Sequence, residues 1–152
     1  MDIEKTKSAL QDLIIRLKDA EDGYIEIYNA TGHVELKSWL DKYSKERHQM
    51  HENLESQVRQ LGGDPEVKTS FLGSLHRVFI DFKINNFKDD FSAIVEEIDR
   101  GSERLLNDYD QVLNDVDLTQ NVKSILENQK AIIEREVEDL KIMKEKFDKA
   151  DA

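Results

Sequence analysis

Cysteine is absent from this sequence, and proline occurs only once. A chain without cysteine forms no disulfide and offers neither a thiol nucleophile nor a zinc–thiolate site. With one proline and six glycines in 152 residues, few positions interrupt a helix. The composition therefore excludes several kinds of site and favours long helices.

A surplus of positive charge is also missing. The formal net charge is −11 at pH 7, which disfavours binding to nucleic acid phosphates and to anionic membrane surfaces. No apolar run approaches the length of a membrane span. The first residues, "MDIEKTKSAL", lack the basic and apolar regions of a signal peptide. We therefore expect a cytoplasmic protein that binds neither nucleic acid nor membrane.

Helical periodicity is what the sequence has in abundance. Apolar residues recur at steps of three and four, which predicts helices at about 2–31, 34–61, 88–114 and 118–147. The amphipathic stretch "FLGSLHRVFIDF" predicts a short helix at about 71–83. Two of the connections between these predicted helices are short and the middle one is long, which indicates two antiparallel hairpins joined by a crossover. The predicted fold is all-α, a single ferritin-like four-helix bundle of residues 1–152.

Polar side chains fall at several inward positions when residues are counted at about 100° each. They are Glu21, Arg47, Ser102, Gln129 and Glu136. A di-iron bundle needs inward glutamates from two helices and a Glu-x-x-His motif from each of the other two. The inward set has carboxylates but also an arginine, which would repel a metal ion. We therefore predict no catalytic residues and a buried ion pair between Glu21 and Arg47.

A metal site stays open as an alternative. The segment "KERHQMHENLESQ", residues 45–57, is rich in histidine and glutamate. The helical count places His51 at the flank of the apolar face and His48 outward. The candidate ligands are Glu21, His51 and Glu136, which would hold iron or another divalent metal with water or a second subunit completing the site.

Several segments, in this order and spacing, resemble a family of small bacterial helical bundles of unknown function that is often described as ferritin-like. They are "DAEDGYIEIY" (19–28), "RQLGGDPE" (59–66), "GSLHRVFIDFK" (73–83) and "EIDRGSERLLNDYDQVL" (97–113). The resemblance implies a four-helix bundle with the short "SLHR" helix in its crossover, and it brings no established activity. Many relatives carry a histidine on the last helix where this chain has Val137.

His76 and Arg77 lie on the predicted crossover helix. We interpret them as a surface pair that ties the crossover to the bundle, with a binding or signalling surface as the alternative. Lone histidines usually have a local structural role, although their pKa also suits them to sensing pH.

The leading hypothesis for function is a non-catalytic bundle without a cofactor, acting as a homo-oligomer or through a protein partner. Trp39 and the phenylalanines of the crossover are the expected contacts. One rival is a ferritin-like metal-binding or oxidoreductase bundle whose metal site is incomplete or shared between subunits. Another is a small-ligand carrier with a pocket between the second helix and the crossover.

Overall fold

The computed structural model describes residues 1–65 and 90–150, and within them it contains four long helices and no strand. The helices are α1 (Ile3–Ala30), α2 (Val34–Gln60), α3 (Phe91–Asp115) and α4 (Gln120–Ala150). The predicted all-α four-helix bundle is confirmed. The crossover helix predicted at about 71–83 lies outside the described residues.

Side-chain caps fix where α1 and α3 begin. Asp2 precedes α1, and its side chain accepts a hydrogen bond from the Lys5 backbone N–H at 3.1 Å. Asp90 caps α3 in the same way, accepting from the Ala93 N–H at 3.0 Å. Short polar side chains favour such positions because they satisfy N–H groups that have no partner within the helix. After α2, Gly62 adopts φ +82°, a conformation that suits glycine and turns the chain away.

Two apolar clusters hold the bundle together and fix the helix directions. One cluster joins the N-terminal half of α1 and the start of α4 to the C-terminal halves of α2 and α3; its members include Leu10, Leu54, Tyr109 and Leu126. The other joins the opposite ends, and its members include Tyr24, Leu40, Phe91 and Leu140. Therefore α1 and α4 run in one direction, and α2 and α3 run in the other.

Candidate functional site

The centre of the bundle contains an ion pair without any solvent exposure. Arg47 of α2 and Glu136 of α4 are both 0% exposed, and Arg47 Nη2 lies 2.6 Å from Glu136 Oε1. Tyr24 of α1 donates its hydroxyl hydrogen to the same oxygen at 2.8 Å. Three helices therefore meet in one polar network, which we call the central network (Tyr24, Arg47 and Glu136).

The partner predicted for Arg47 was wrong. Its carboxylate is Glu136, whereas Glu21 contacts His48 and His51. The prediction relied on the closeness of α1 and α2 in the first hairpin. In the structure Arg47 instead points across the bundle to α4, and Glu21, whose side chain is 15% exposed, lies at the edge between α1 and α2.

Burial controls the ionisation of the central network. It raises the pKa of Glu136, although the charge of Arg47 and the hydrogen bonds from Tyr24 and Arg47 act in the opposite direction. Burial and then the Glu136 charge raise the pKa of Tyr24. Burial lowers the pKa of Arg47, but the neighbouring Tyr24 and Glu136 raise it more. Arg47 is therefore permanently charged. Tyr24 is a neutral phenol that donates a hydrogen bond to Glu136.

A second buried contact lies beside this network. Tyr109 of α3 donates its hydroxyl hydrogen to Gln129 Oε1 at 2.6 Å, and Gln129 Nε2 donates to the Met50 carbonyl oxygen at 3.1 Å. Tyr109 is 0% exposed and Gln129 is 4% exposed. These two hydrogen bonds link α2, α3 and α4.

The residues at the centre do not fit the di-metal site that a ferritin-like bundle implies. Glu136 Oε2 is buried without a hydrogen-bond partner among the described residues, so one carboxylate oxygen is available. However, the guanidinium of Arg47 lies against the other oxygen of this carboxylate, and the buried Ser102 of α3 and Gln129 of α4 are not acidic. Such a site needs about six protein ligands, most of them carboxylates. Among the described residues, the centre supplies the buried carboxylate of Glu136, a buried oxygen of Glu46 and a cation.

A histidine–glutamate cluster lies at the α1–α2 edge, and its donor atoms come from Glu21, His48 and His51. Glu21 Oε2 lies 2.8 Å from His48 Nδ1, and Glu21 Oε1 lies 3.1 Å from His51 Nε2. The side chain of His51 is 6% exposed, while that of His48 is 52% exposed. The cluster therefore reaches from the edge of the core to the solvent.

Each histidine of the cluster has a carboxylate on its other ring nitrogen. His48 Nε2 lies 2.9 Å from Glu52 Oε1, and His51 Nδ1 lies 3.4 Å from Glu55 Oε2. Burial lowers the pKa of His48, but the bonds and charges of Glu21 and Glu52 raise it more. Burial raises the pKa of Glu55, but the contacts with Lys18 and His51 lower it by more, so the pKa lies below its ordinary value.

Of the predicted metal ligands, the structure brings Glu21 and His51 together but leaves Glu136 in the central network. Sequence reasoning missed His48, because a helical count reports the direction of a side chain and not the reach of a glutamate on the next helix. A signal was present: His48 and His51 are three residues apart, and each is followed four residues later by a glutamate. His76 and Arg77 lie outside the described residues.

Trp39 is not the surface contact that we predicted. It is 5% exposed, and its Nε1–H donates to the Glu136 carbonyl oxygen at 3.4 Å. An open groove of about 350 Å³ lies beside it, between α2 and α4, and is bordered by Lys42, Asp139 and Met143. The pocket predicted between the second helix and the crossover involves residues outside the described ranges.

No helix in residues 1–65 or 90–150 combines the length and the apolar character that a membrane span requires.

Comparison with known proteins gives a family and no activity. No curated protein matches the sequence. The model of a family described as "Domain of unknown function (DUF2383)" matches residues 5–115, which include all but the first two residues of α1 and the whole of α2 and α3. The chain therefore belongs to the DUF2383 family.

Proposed function

We propose that this protein is a non-catalytic helical bundle that acts through its surface, primarily by self-association. The observation that carries the proposal is the Arg47–Glu136 pair, with both side chains 0% exposed. Helical bundles that perform chemistry usually place a metal or cofactor in the core between facing helices. Here Arg47 and Glu136 fill that position with a buried ion pair, which favours a function carried by the surface.

The α1–α2 turn supplies an apolar surface for such contacts. Ile25 and Tyr28, on the last turns of α1, are 45% and 37% exposed, and Val34, the first residue of α2, is 79% exposed. Lys37 places its Nζ 4.8 Å from the centre of the Tyr28 ring, which ties the two helices together on this surface. Grouped exposed apolar side chains mark interaction sites more often than isolated ones do.

Charge gives the association a distinctive dependence on salt. Each chain has a formal net charge of −11 at pH 7, so two copies repel each other at low ionic strength. Salt screens this repulsion but leaves apolar contact largely intact. Self-association through the apolar surface should therefore strengthen as salt is added.

The test is sedimentation velocity over a wide range of chain concentration, at low and moderate salt. We expect wild-type oligomers and a shift toward monomer in Val34→Asp. Ile3→Asp is the matched control, because Ile3 is the first residue of α1, is 47% exposed and lies at the other end of the bundle. An aspartate at either helix start is favourable to the helix, so neither change should unfold the protein.

Two outcomes would contradict this proposal. One is a wild-type chain that stays monomeric at every concentration and salt level. The other is a loss of association that is equal in Val34→Asp and Ile3→Asp, because the α1–α2 turn would then have no special role. A monomer that captures a protein partner through Val34 would move the function from self-association to partner binding.

We also propose that the bundle is ferritin-like and that the protein is bacterial and cytoplasmic. The shared direction of α2 and α3 supports a ferritin-like arrangement, because one long connection between two hairpins produces it. The resemblance to bacterial bundles supports a bacterial origin, and the acidic composition agrees with a cytoplasmic location.

A further inference from the structure

We propose that Glu21, His48 and His51 bind one divalent transition-metal ion at the α1–α2 edge. This site is separate from the central network and independent of self-association. It also differs from a core di-metal centre, since it uses one carboxylate and two imidazoles from two neighbouring helices.

The spacing of the donor atoms suits a single small ion. Metal–nitrogen and metal–oxygen bonds of about 2.0–2.2 Å place two tetrahedral ligands about 3.3 Å apart. The two contacts from Glu21 to the histidines are 2.8 and 3.1 Å, and the three ligand atoms all lie within 4.8 Å of one another. Small rotations of half-exposed His48 are therefore enough to admit an ion.

The outer carboxylates are an independent observation that favours a metal site. In metal centres, a histidine ligand usually donates its second N–H to a carboxylate or carbonyl, which fixes its tautomer and orients its ring. Glu52 holds Nε2 of His48, and Glu55 holds Nδ1 of His51, so in both rings the other nitrogen faces Glu21. Lys18 in turn fixes Glu55 through a 2.9 Å contact.

The ligand types define the class of metal. Two imidazoles and one carboxylate suit Zn²⁺, Fe²⁺, Co²⁺ and similar ions, whereas Mg²⁺ and Ca²⁺ prefer oxygen ligands alone. Three protein ligands leave room for water in the remaining position. The exposure of His48 provides a path from solvent, and the acidic surroundings favour a cation.

The test uses the full-length chain without an affinity tag and measures Zn²⁺ binding by calorimetry and Co²⁺ binding by visible absorption. Intense visible bands from Co²⁺ would report a site with fewer than six ligands. The variants are His48→Ala, Glu21→Gln and Glu55→Gln. The control is His33→Asn, because His33 is the N-cap of α2 and asparagine is a good cap. Circular dichroism checks that each variant is helical.

We expect one Zn²⁺ per chain, unchanged binding in His33→Asn and no competition from Mg²⁺ at equal concentration. Loss of an outer carboxylate partner typically weakens metal affinity by about 10–100-fold, which sets the expectation for Glu55→Gln. His48→Ala and Glu21→Gln should weaken it more. Because His48 is half exposed and Gln keeps the shape of Glu21, at least one of these two variants should fold.

Absence of Zn²⁺ and Co²⁺ binding to the wild type would overturn the proposal, as would equal affinity in the wild type, His48→Ala and Glu21→Gln. Loss of binding in His33→Asn would move the site elsewhere and overturn it too. None of these outcomes depends on the oligomeric state, so this proposal and the proposed self-association can fail separately.

Discussion

Replacing Arg47 with methionine should lower the free energy of unfolding by about 3–5 kcal/mol, the typical cost of removing one partner of a buried ion pair. The loss comes less from the missing attraction than from the carboxylate left behind. Glu136 is 0% exposed and, among the described residues, would keep only the hydroxyl of Tyr24 as a hydrogen-bond partner. Methionine fills much of the volume of arginine, so a cavity makes only a minor contribution. Urea unfolding followed by circular dichroism measures the change.

The cost of Arg47→Met should depend on pH in a defined direction. Burial already raises the pKa of Glu136 above its ordinary value of 4.5, and Arg47 opposes that rise. Without Arg47 the folded-state pKa rises further. A group with a raised folded-state pKa contributes stability below its unfolded-state pKa, and this contribution is lost as pH rises through the folded-state value. The gap between wild type and variant should therefore be small in acid and large at neutral pH.

Two controls separate this effect from a general loss of arginine. Arg59 is exposed in the last turn of α2, so Arg59→Met should change stability by no more than about 0.5 kcal/mol. The double change Arg47→Met with Glu136→Gln removes both charges and keeps an acceptor for Tyr24. It should recover most of the stability. If Arg47→Met is as stable as the wild type at neutral pH, the ion pair has no energetic role in the core.

Removing the hydroxyl of Tyr24 should have the second largest effect. Tyr24→Phe deletes the 2.8 Å hydrogen bond to the Glu136 carboxylate and the longer 3.5 Å contact that the Tyr24 oxygen accepts from Arg47 Nη2. Tyr24 is only 7% exposed, and phenylalanine keeps its ring contacts. Hydrogen bonds to charged groups contribute about 1.5–3 kcal/mol. We expect the free energy of unfolding to fall by that amount in the same urea experiment.

Tyr28→Phe is the matched control for Tyr24→Phe. Tyr28 lies one helical turn further along α1 and is 37% exposed. Its hydroxyl has no hydrogen-bond partner among the described residues, so its removal should leave stability nearly unchanged. Equal losses in the two variants would mean that the central network does not distinguish a buried phenol from an exposed one, which would contradict its role as a structural unit.

The sequence was sufficient for the architecture because apolar periodicity reports which face of a helix is buried. The same count placed Arg47, Ser102, Gln129 and Glu136 on inward faces, and all four are buried. It also placed Glu21 inward, but the side chain of Glu21 is 15% exposed at the edge between α1 and α2. The angle on one helix does not express how far the neighbouring helix covers a side chain.

The contact partners of side chains were harder to predict than the buried faces of helices. A helical count assigns an angle to each side chain separately, whereas the partner of Arg47 depends on how α2 and α4 pack together. Sequence proximity favoured Glu21 on the adjacent helix, and the structure selects Glu136, 89 positions away. The same limit hid His48, which is directed outward on its own helix and becomes a neighbour of Glu21 only when α1 lies beside α2.

The metal content of the purified chain distinguishes a metal ion at the α1–α2 edge from metal ions in the core of the bundle. The tag-free chain would be loaded anaerobically with Fe²⁺, and separately with Zn²⁺, and measured by plasma mass spectrometry beside His48→Ala and Glu136→Gln. We expect one ion per chain, lost in His48→Ala and retained in Glu136→Gln. Two iron ions per chain, lost in Glu136→Gln and retained in His48→Ala, would contradict it.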